Sequence, residues 1–201
     1  MNVVNPLIAI LRGITPGEAA AHTDVLIEAG FRYLEIPLNS PDWQQSIPQM
    51  VRRFGDKASI GGGTVLNIEQ VDCLAQAGAT LVVTPNTNSP VIRRAVEQGM
   101  QVCAGCATAT EAFTALDAGA QWLKIFPAAA FGPAYIAALK AVLPAEVPVL
   151  AVGGVTPENL RDYLRAGCSG AGLGSDLYRA GQSVELTRQQ GQRFMAALAA
   201  G

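Results

Sequence analysis

Two hydrophobic patterns alternate along the whole chain. Short apolar runs, with the look of buried strands, are each followed by a longer stretch that opens with Ser, Thr or Asn and stops at Gly. The first run is residues 7–11. Thr15-Pro16-Gly17-Glu18 then predicts a helix start, with Thr15 as N-cap, Pro16 in the first turn and Glu18 closing a capping box. That helix is expected to stop at Ala29-Gly30. Further strands are predicted at 33–38, 58–62, 80–84 and 101–104. The helices after them are expected to be capped by Ser40-Pro41, Asn67, Ser89-Pro90 and a Thr108–Glu111 capping box. The sixth run, 121–127, is followed by a helix from Gly132-Pro133 to about Leu143. Strands at 147–152 and 170–173 frame a helix capped by Thr156-Pro157-Glu158. A last helical segment runs through Phe194 and Leu198.

Eight strand–helix units imply parallel strands joined by crossovers. The strands are apolar on both faces, as a sheet covered by helices requires. The expectation is a single-domain (β/α)8 TIM barrel over residues 1–201, with an open doubly wound sheet as the other topology.

The sixth run changes the picture from fold to chemistry. In Gln121-Trp122-Leu123-Lys124-Ile125-Phe126-Pro127, alternation puts Trp122, Lys124 and Phe126 on one face and Leu123 and Ile125 on the other. A buried ammonium is costly unless it is paired or gives up its proton. Desolvation lowers a lysine pKa, and the neutral amine is a nucleophile towards carbonyls. Lys124 therefore reads either as a Schiff-base lysine or as half of a structural ion pair. Glu35 is the matching case on the second strand, a lone carboxyl in Tyr33-Leu34-Glu35-Ile36-Pro37. Burial would raise its pKa into the range useful for proton transfer. Its other reading is a structural pair with Lys124.

In such barrels ligands bind at the C-terminal strand ends, and phosphate often sits after strands seven and eight. Arg12, after the first strand, suits a carboxylate or phosphate, or a surface ion pair. Thr64, in Gly63-Thr64, offers a hydroxyl to a ligand or to its own loop. Gly153-Gly154 and Gly174-Ser175 fall after the seventh and eighth strands. Glycines there expose backbone N–H groups to a phosphate, and a following helix N-terminus would add positive potential. The spacing of Gly170-Ala171-Gly172-Leu173-Gly174 does not fit a dinucleotide fingerprint.

Composition narrows the class. The chain has 201 residues, half of them hydrophobic and 15% charged, and a net charge of -2. That fits a heavily buried protein and argues against nucleic acid as a partner. No apolar run has transmembrane length, and the first residues lack the basic start of a secretory signal, which points to the cytoplasm. Cys103-Ala104-Gly105-Cys106 is a lone C-x-x-C, read as buried reduced thiols. His22, the only histidine, lies in a helical stretch and reads as a surface or packing residue. One histidine leaves no Ser-His-Asp set and no zinc ligand set, so no metal is expected.

Ile10-Leu11-Arg12-Gly13, Leu34-Glu35-Ile36-Pro37, Ile60-Gly61-Gly62-Gly63-Thr64-Val65, Val83-Thr84-Pro85-Asn86, Leu123-Lys124-Ile125-Phe126-Pro127 and Val152-Gly153-Gly154-Val155 together resemble the KDPG/KHG aldolase family, over nearly the whole chain and in order. The resemblance implies a (β/α)8, metal-free, class I enzyme, usually trimeric and without cofactor. Such enzymes cleave phosphorylated keto-deoxy sugar acids to pyruvate and D-glyceraldehyde 3-phosphate. It implies Lys124 as the Schiff-base residue and Glu35 as the proton shuttle. Arg12 and Thr64 would hold the carboxylate, and Gly153, Gly154, Gly174 and Ser175 the phosphate.

Within the family, Ile36-Pro37-Leu38-Asn39-Ser40-Pro41, Ala107-Thr108-Ala109-Thr110-Glu111-Ala112-Phe113 and Gly174-Ser175-Asp176-Leu177-Tyr178-Arg179 are similar to the members that act on the galactonate epimer. Gluconate-type members usually carry Thr before the Gly-Gly pair; Val152 stands there. The alternatives are an aldolase for the gluconate epimer or KHG and, further off, a phosphate-binding barrel isomerase using Glu35 as base.

Overall fold

Each amphipathic stretch folds as a helix between two parallel strands. Residues 6–199 are described by a computed structural model, and the reading of residues 1–5 as lacking a secretory signal lies outside them. The first half runs β1 (Leu7–Ile10), α1 (Pro16–Ala29), β2 (Tyr33–Pro37), α2 (Trp43–Phe54), β3 (Ser59–Gly63), α3 (Ile68–Gln76), β4 (Leu81–Val83) and α4 (Ser89–Glu97). The second runs β5 (Gln101–Cys106), α5 (Ala109–Asp117), β6 (Trp122–Ile125), α6 (Ala128–Lys140), β7 (Val149–Val152), α7 (Leu160–Arg165), β8 (Gly170–Leu173) and α8 (Val184–Ala199). The strands pair in sequence order and β8 returns parallel to β1, closing the barrel. Closure excludes the open doubly wound sheet.

Alternation along the strands sorts the apolar side chains into two layers. Ile8, Ile10, Leu81, Val83, Cys103, Trp122, Leu150 and Val152 fill the barrel interior. Leu34, Ile36, Leu123, Ile125 and Val149 face outward and pack with the helices. Lys124 and Glu35 are the only charged residues in the eight strands, and both are buried. Glu35 pairs with Ile10 of β1, and Lys124 with Leu150 of β7.

A close approach explains one interior glycine. A Cβ on Gly63 would lie 1.4 Å from Glu35 Oε2, so the Glu35 carboxyl occupies the space of the missing side chain. Any larger residue at 63 would expel it.

Several helix starts differ from the sequence expectation. Ser40-Pro41 does not cap α2; Asp42 takes the N-cap position with φ 47°. Ser40 Oγ instead accepts the Gly13 N–H at 2.9 Å, joining the first two loops at the barrel mouth. Asn88, not Ser89, caps α4. Ahead of α7, Thr156 N–H donates to Asn159 Oδ1 at 2.8 Å and Asn159 N–H to Thr156 Oγ1 at 3.3 Å, so the helix begins later than expected. Where Ser, Thr, Asn and Pro cluster, several residues qualify as caps and the local backbone decides. α6 starts at Ala128, ahead of Gly132-Pro133, and Gly132 interrupts it with φ 75° and ψ 167°.

Candidate active site

The C-terminal ends of the strands gather the candidate residues. Arg12 lies just beyond β1 and Thr64 directly after β3; Gly153 follows β7 and Gly174 follows β8. With Lys124, Val152, Gly154 and Ser175 they line one open cavity of about 410 Å³. That is the site the barrel architecture favours.

Lys124 is 6% exposed and reaches this cavity from β6. Its Nζ lies 5.0 Å from the centroid of the Phe126 ring. Burial lowers its pKa; Glu35 and Cys103 oppose the shift and Arg12 adds to it. Glu35 is 2% exposed and lies in the barrel interior instead of on the cavity wall. Burial pushes its carboxyl up to about 7, against the pull of Lys124 and Arg12. Its Oε2 has no hydrogen-bond partner. No salt bridge within 4.0 Å joins Glu35 to Lys124, although each group lies near enough to pull on the other's pKa. A buried carboxyl with a free oxygen and a pKa near neutrality is suited to moving protons.

Arg12 Nη1 donates to Asn39 Oδ1 at 2.6 Å, and Nη2 lies 3.5 Å from Thr64 Oγ1. These contacts replace the surface ion pair considered for Arg12. Thr64 has φ 55°. A β-branched residue in that region is strained by roughly 1–3 kcal/mol, a pattern that clusters at ligand sites.

At the opposite wall Gly153 and Gly154 have φ 95° and 76°, conformations that L side chains rarely adopt. A Cβ on Gly154 would also meet Ala129 Cβ at 2.5 Å. Among the described residues, the N–H groups of Gly153, Gly154, Gly174 and Ser175 find no backbone acceptor. Consecutive free amides in a concave turn form an anion-binding nest. The helix-terminus contribution is not as expected, because α7 and α8 begin at Leu160 and Val184, several residues beyond the nests. The loop amides are the donors left for an anion at this wall. Val152, 4% exposed, fills the space beside Gly172, where a Cβ would lie 2.8 Å from its Cγ2.

A family model described as KDPG and KHG aldolase matches residues 3–190. The chain belongs to the KDPG and KHG aldolase family. It is 70% identical over 192 residues to the 2-dehydro-3-deoxy-6-phosphogalactonate aldolase of Escherichia coli K12, covering 96% of this chain and 94% of that protein. To the KHG/KDPG aldolase of the same organism it is 32% identical over 141 residues, covering 69% and 65%. A solved structure described as native KDPGal superposes with a TM-score of 0.98 at 67% identity, covering 100% of this chain and 97% of the other.

Beyond the residues singled out from the sequence, this family member lines its cavity with Pro85, Phe126 and Asp176. Asn39, which holds Arg12, was also missed as a site residue. Pro85 and Asn39 stand in motifs that carry the family resemblance, but only the folded chain shows what they touch. The two members of the C-x-x-C are split by the strand: Cys103 faces the interior and Cys106 the helix layer. Both are free, and burial pushes both thiols up to about 12, which makes them inert packing residues. His22 is buried, 2% exposed, which excludes the surface reading.

Proposed function

We propose that this chain is a single-domain class I aldolase that cleaves 2-dehydro-3-deoxy-6-phosphogalactonate to pyruvate and D-glyceraldehyde 3-phosphate. The observation that carries the reading is a buried lysine of lowered pKa between a guanidinium and an anion nest. A cavity of about 410 Å³ suits a six-carbon phosphorylated acid.

Neutral Lys124 attacks the C2 carbonyl, and loss of water from the carbinolamine gives the protonated imine. The C4 hydroxyl gives up its proton, the C3–C4 bond breaks, and its electrons enter the imine to leave an enamine. The aldehyde departs, the enamine carbon takes a proton, and hydrolysis frees pyruvate and Lys124. Glu35 exchanges these protons. Arg12 and Thr64 hold the substrate carboxylate, and Gly153, Gly154, Gly174 and Ser175 hold the phosphate. Anchoring both ends fixes C2 over the amine, which is where proximity contributes most. The imine serves as electron sink, so the chemistry calls for no metal or cofactor.

Substrate choice rests on Val152. The two epimers differ only at C4, beside the bond that breaks. With both ends anchored, their C4 hydroxyls point to different walls. Val152 offers no hydrogen bond, so an epimer that relies on one there would bury an unpaired hydroxyl. That costs about 1–3 kcal/mol, worth up to roughly a hundredfold in selectivity. The greater identity to the galactonate enzyme supports the same choice. A pyruvate-coupled assay with both epimers is expected to show faster cleavage of the galactonate form. Val152→Thr is expected to raise relative activity on the gluconate epimer. Faster gluconate cleavage by the wild type, or an unchanged ratio in the variant, removes Val152 as discriminator.

The active unit is a homotrimer. Leu66, Ile68, Phe113 and Phe131 are large apolar side chains left exposed on the wall, and such surface favours coverage by a neighbouring copy. Light scattering at micromolar concentration should give the trimer mass; a monomer refutes the assignment. The site of action is the cytoplasm, where free thiols such as those of this chain persist.

A further inference from the structure

The loop between β8 and α8, residues 174–183, supplies Gly174 and Ser175 to the anion nest. Ser175 and Asp176 line the active-site cavity on one side and a second hollow, of about 340 Å³, on the other. The loop is therefore a thin wall at this point, with space rather than packed side chains on both faces. Leu177 and Tyr178 pin the loop into the core, and hydrogen bonds orient the rest of it.

Those bonds converge on the Gln182 amide. Gln182 Nε2 donates to Leu177 O at 3.0 Å and to Thr187 Oγ1 at 2.6 Å, and Gln182 Oε1 accepts the Arg179 N–H at 3.0 Å. Both N–H groups and the carbonyl are thus engaged, which leaves the amide one orientation. Arg179 Nε in turn donates to Ser175 O at 2.9 Å, carrying the constraint to the nest itself. The other end is anchored in the core. Thr187, fully buried on α8, hydrogen-bonds His22 Nδ1 on α1 at 2.8 Å. The His22 ring meets Tyr178 of the same loop edge-on, with centroids 5.0 Å apart. A chain of polar contacts therefore runs from α1 through α8 to the backbone of Ser175.

We infer that His22, Thr187 and Gln182 are positioning residues for the phosphate grip, setting the direction of the Gly174–Ser175 amides from behind the loop. The inference rests on the assignment of phosphate to that nest. None of the three touches the imine end, so their loss is expected to weaken phosphate binding and spare chemistry at Lys124. A network that served only to hold the fold would affect both ends together.

The test uses Thr187→Val, which keeps shape and removes the hydroxyl, Thr187→Ser, which keeps the hydroxyl, and Gln182→Met. Three quantities are read: KM for the phosphorylated substrate, the competitive inhibition constant of inorganic phosphate, and the rate of pyruvate C–H exchange, which involves no phosphate. Thr187→Val and Gln182→Met are expected to raise the first two by roughly three- to tenfold, the scale of one or two hydrogen bonds, with exchange unchanged. Thr187→Ser is expected to restore wild-type values. If Thr187→Val fails to fold, Gln182→Met, on a partly exposed side chain, decides. A wild-type phosphate constant in the folded variants overturns the inference, as does a parallel loss of exchange. A wild type that neither binds inorganic phosphate nor prefers the phosphorylated substrate over its dephosphorylated analogue overturns the phosphate assignment first, and the positioning role with it.

Discussion

Lys124→Ala is expected to abolish turnover while leaving a folded barrel. The amine is the bond-forming atom of the proposed reaction, and no other side chain in the cavity can replace it. Lys57 and Lys140 are the only other lysines, and neither lines the cavity. Loss of a covalent nucleophile normally costs several orders of magnitude in kcat. Alanine trims a cavity-lining side chain and leaves the interior apolar cluster in place, so the thermal transition is expected to remain cooperative. The check is a coupled pyruvate assay beside a melting curve. A folded variant that keeps more than a few per cent of the wild-type rate would mean that the reaction does not pass through an imine at Lys124.

Glu35→Gln is expected to lower the rate by roughly 10²–10⁴ while preserving size and hydrogen-bonding shape. An amide cannot exchange protons, so pyruvate C–H exchange should fall with turnover. Exchange at the wild-type rate would remove Glu35 as the shuttle. The same substitution carries a stability signature whose sign follows from burial. The folded-state pKa of Glu35 lies at about 7, above the ordinary 4.5. Between those values the native protein holds a proton that the unfolded chain has released, so the folded state loses stability as pH rises. The contribution is fully present below about 4.5 and is lost as pH climbs through about 7, on the order of 3 kcal/mol. Glu35→Gln has no such dependence. Its stability relative to wild type should therefore be greater at pH 8 than at pH 4.5 in urea titrations. An equal difference at both pH values would show that Glu35 titrates normally.

Much of this was legible in the sequence because barrels make period and position do the same work. Strand alternation alone placed Lys124 with Trp122 on one face, and the interior cluster that holds Trp122 makes that face the inner one. The Thr15–Glu18 and Thr108–Glu111 capping boxes are local signals, and both form as read. The strand-end rule then assigned Arg12, Thr64 and the glycine pairs to one mouth without any knowledge of distance. What escaped was contact between segments far apart in the chain. Asn39 meets Arg12 across two loops, and Ser40 was spent on Gly13 instead of on a helix cap. Neither residue carries an intrinsic preference for those partners. Gly63 gives no local hint that its missing side chain makes room for Glu35. The split of Cys103 from Cys106 could have been read from alternation, since residues three apart on a strand face opposite ways.

The most direct test of the account is reductive trapping. The wild-type protein is treated with pyruvate and sodium borohydride, digested, and its modified peptide located by mass spectrometry. The account predicts inactivation that requires both reagents and a single reduced pyruvate adduct on Lys124. Full activity after treatment, or an adduct confined to Lys57 or Lys140, would contradict it.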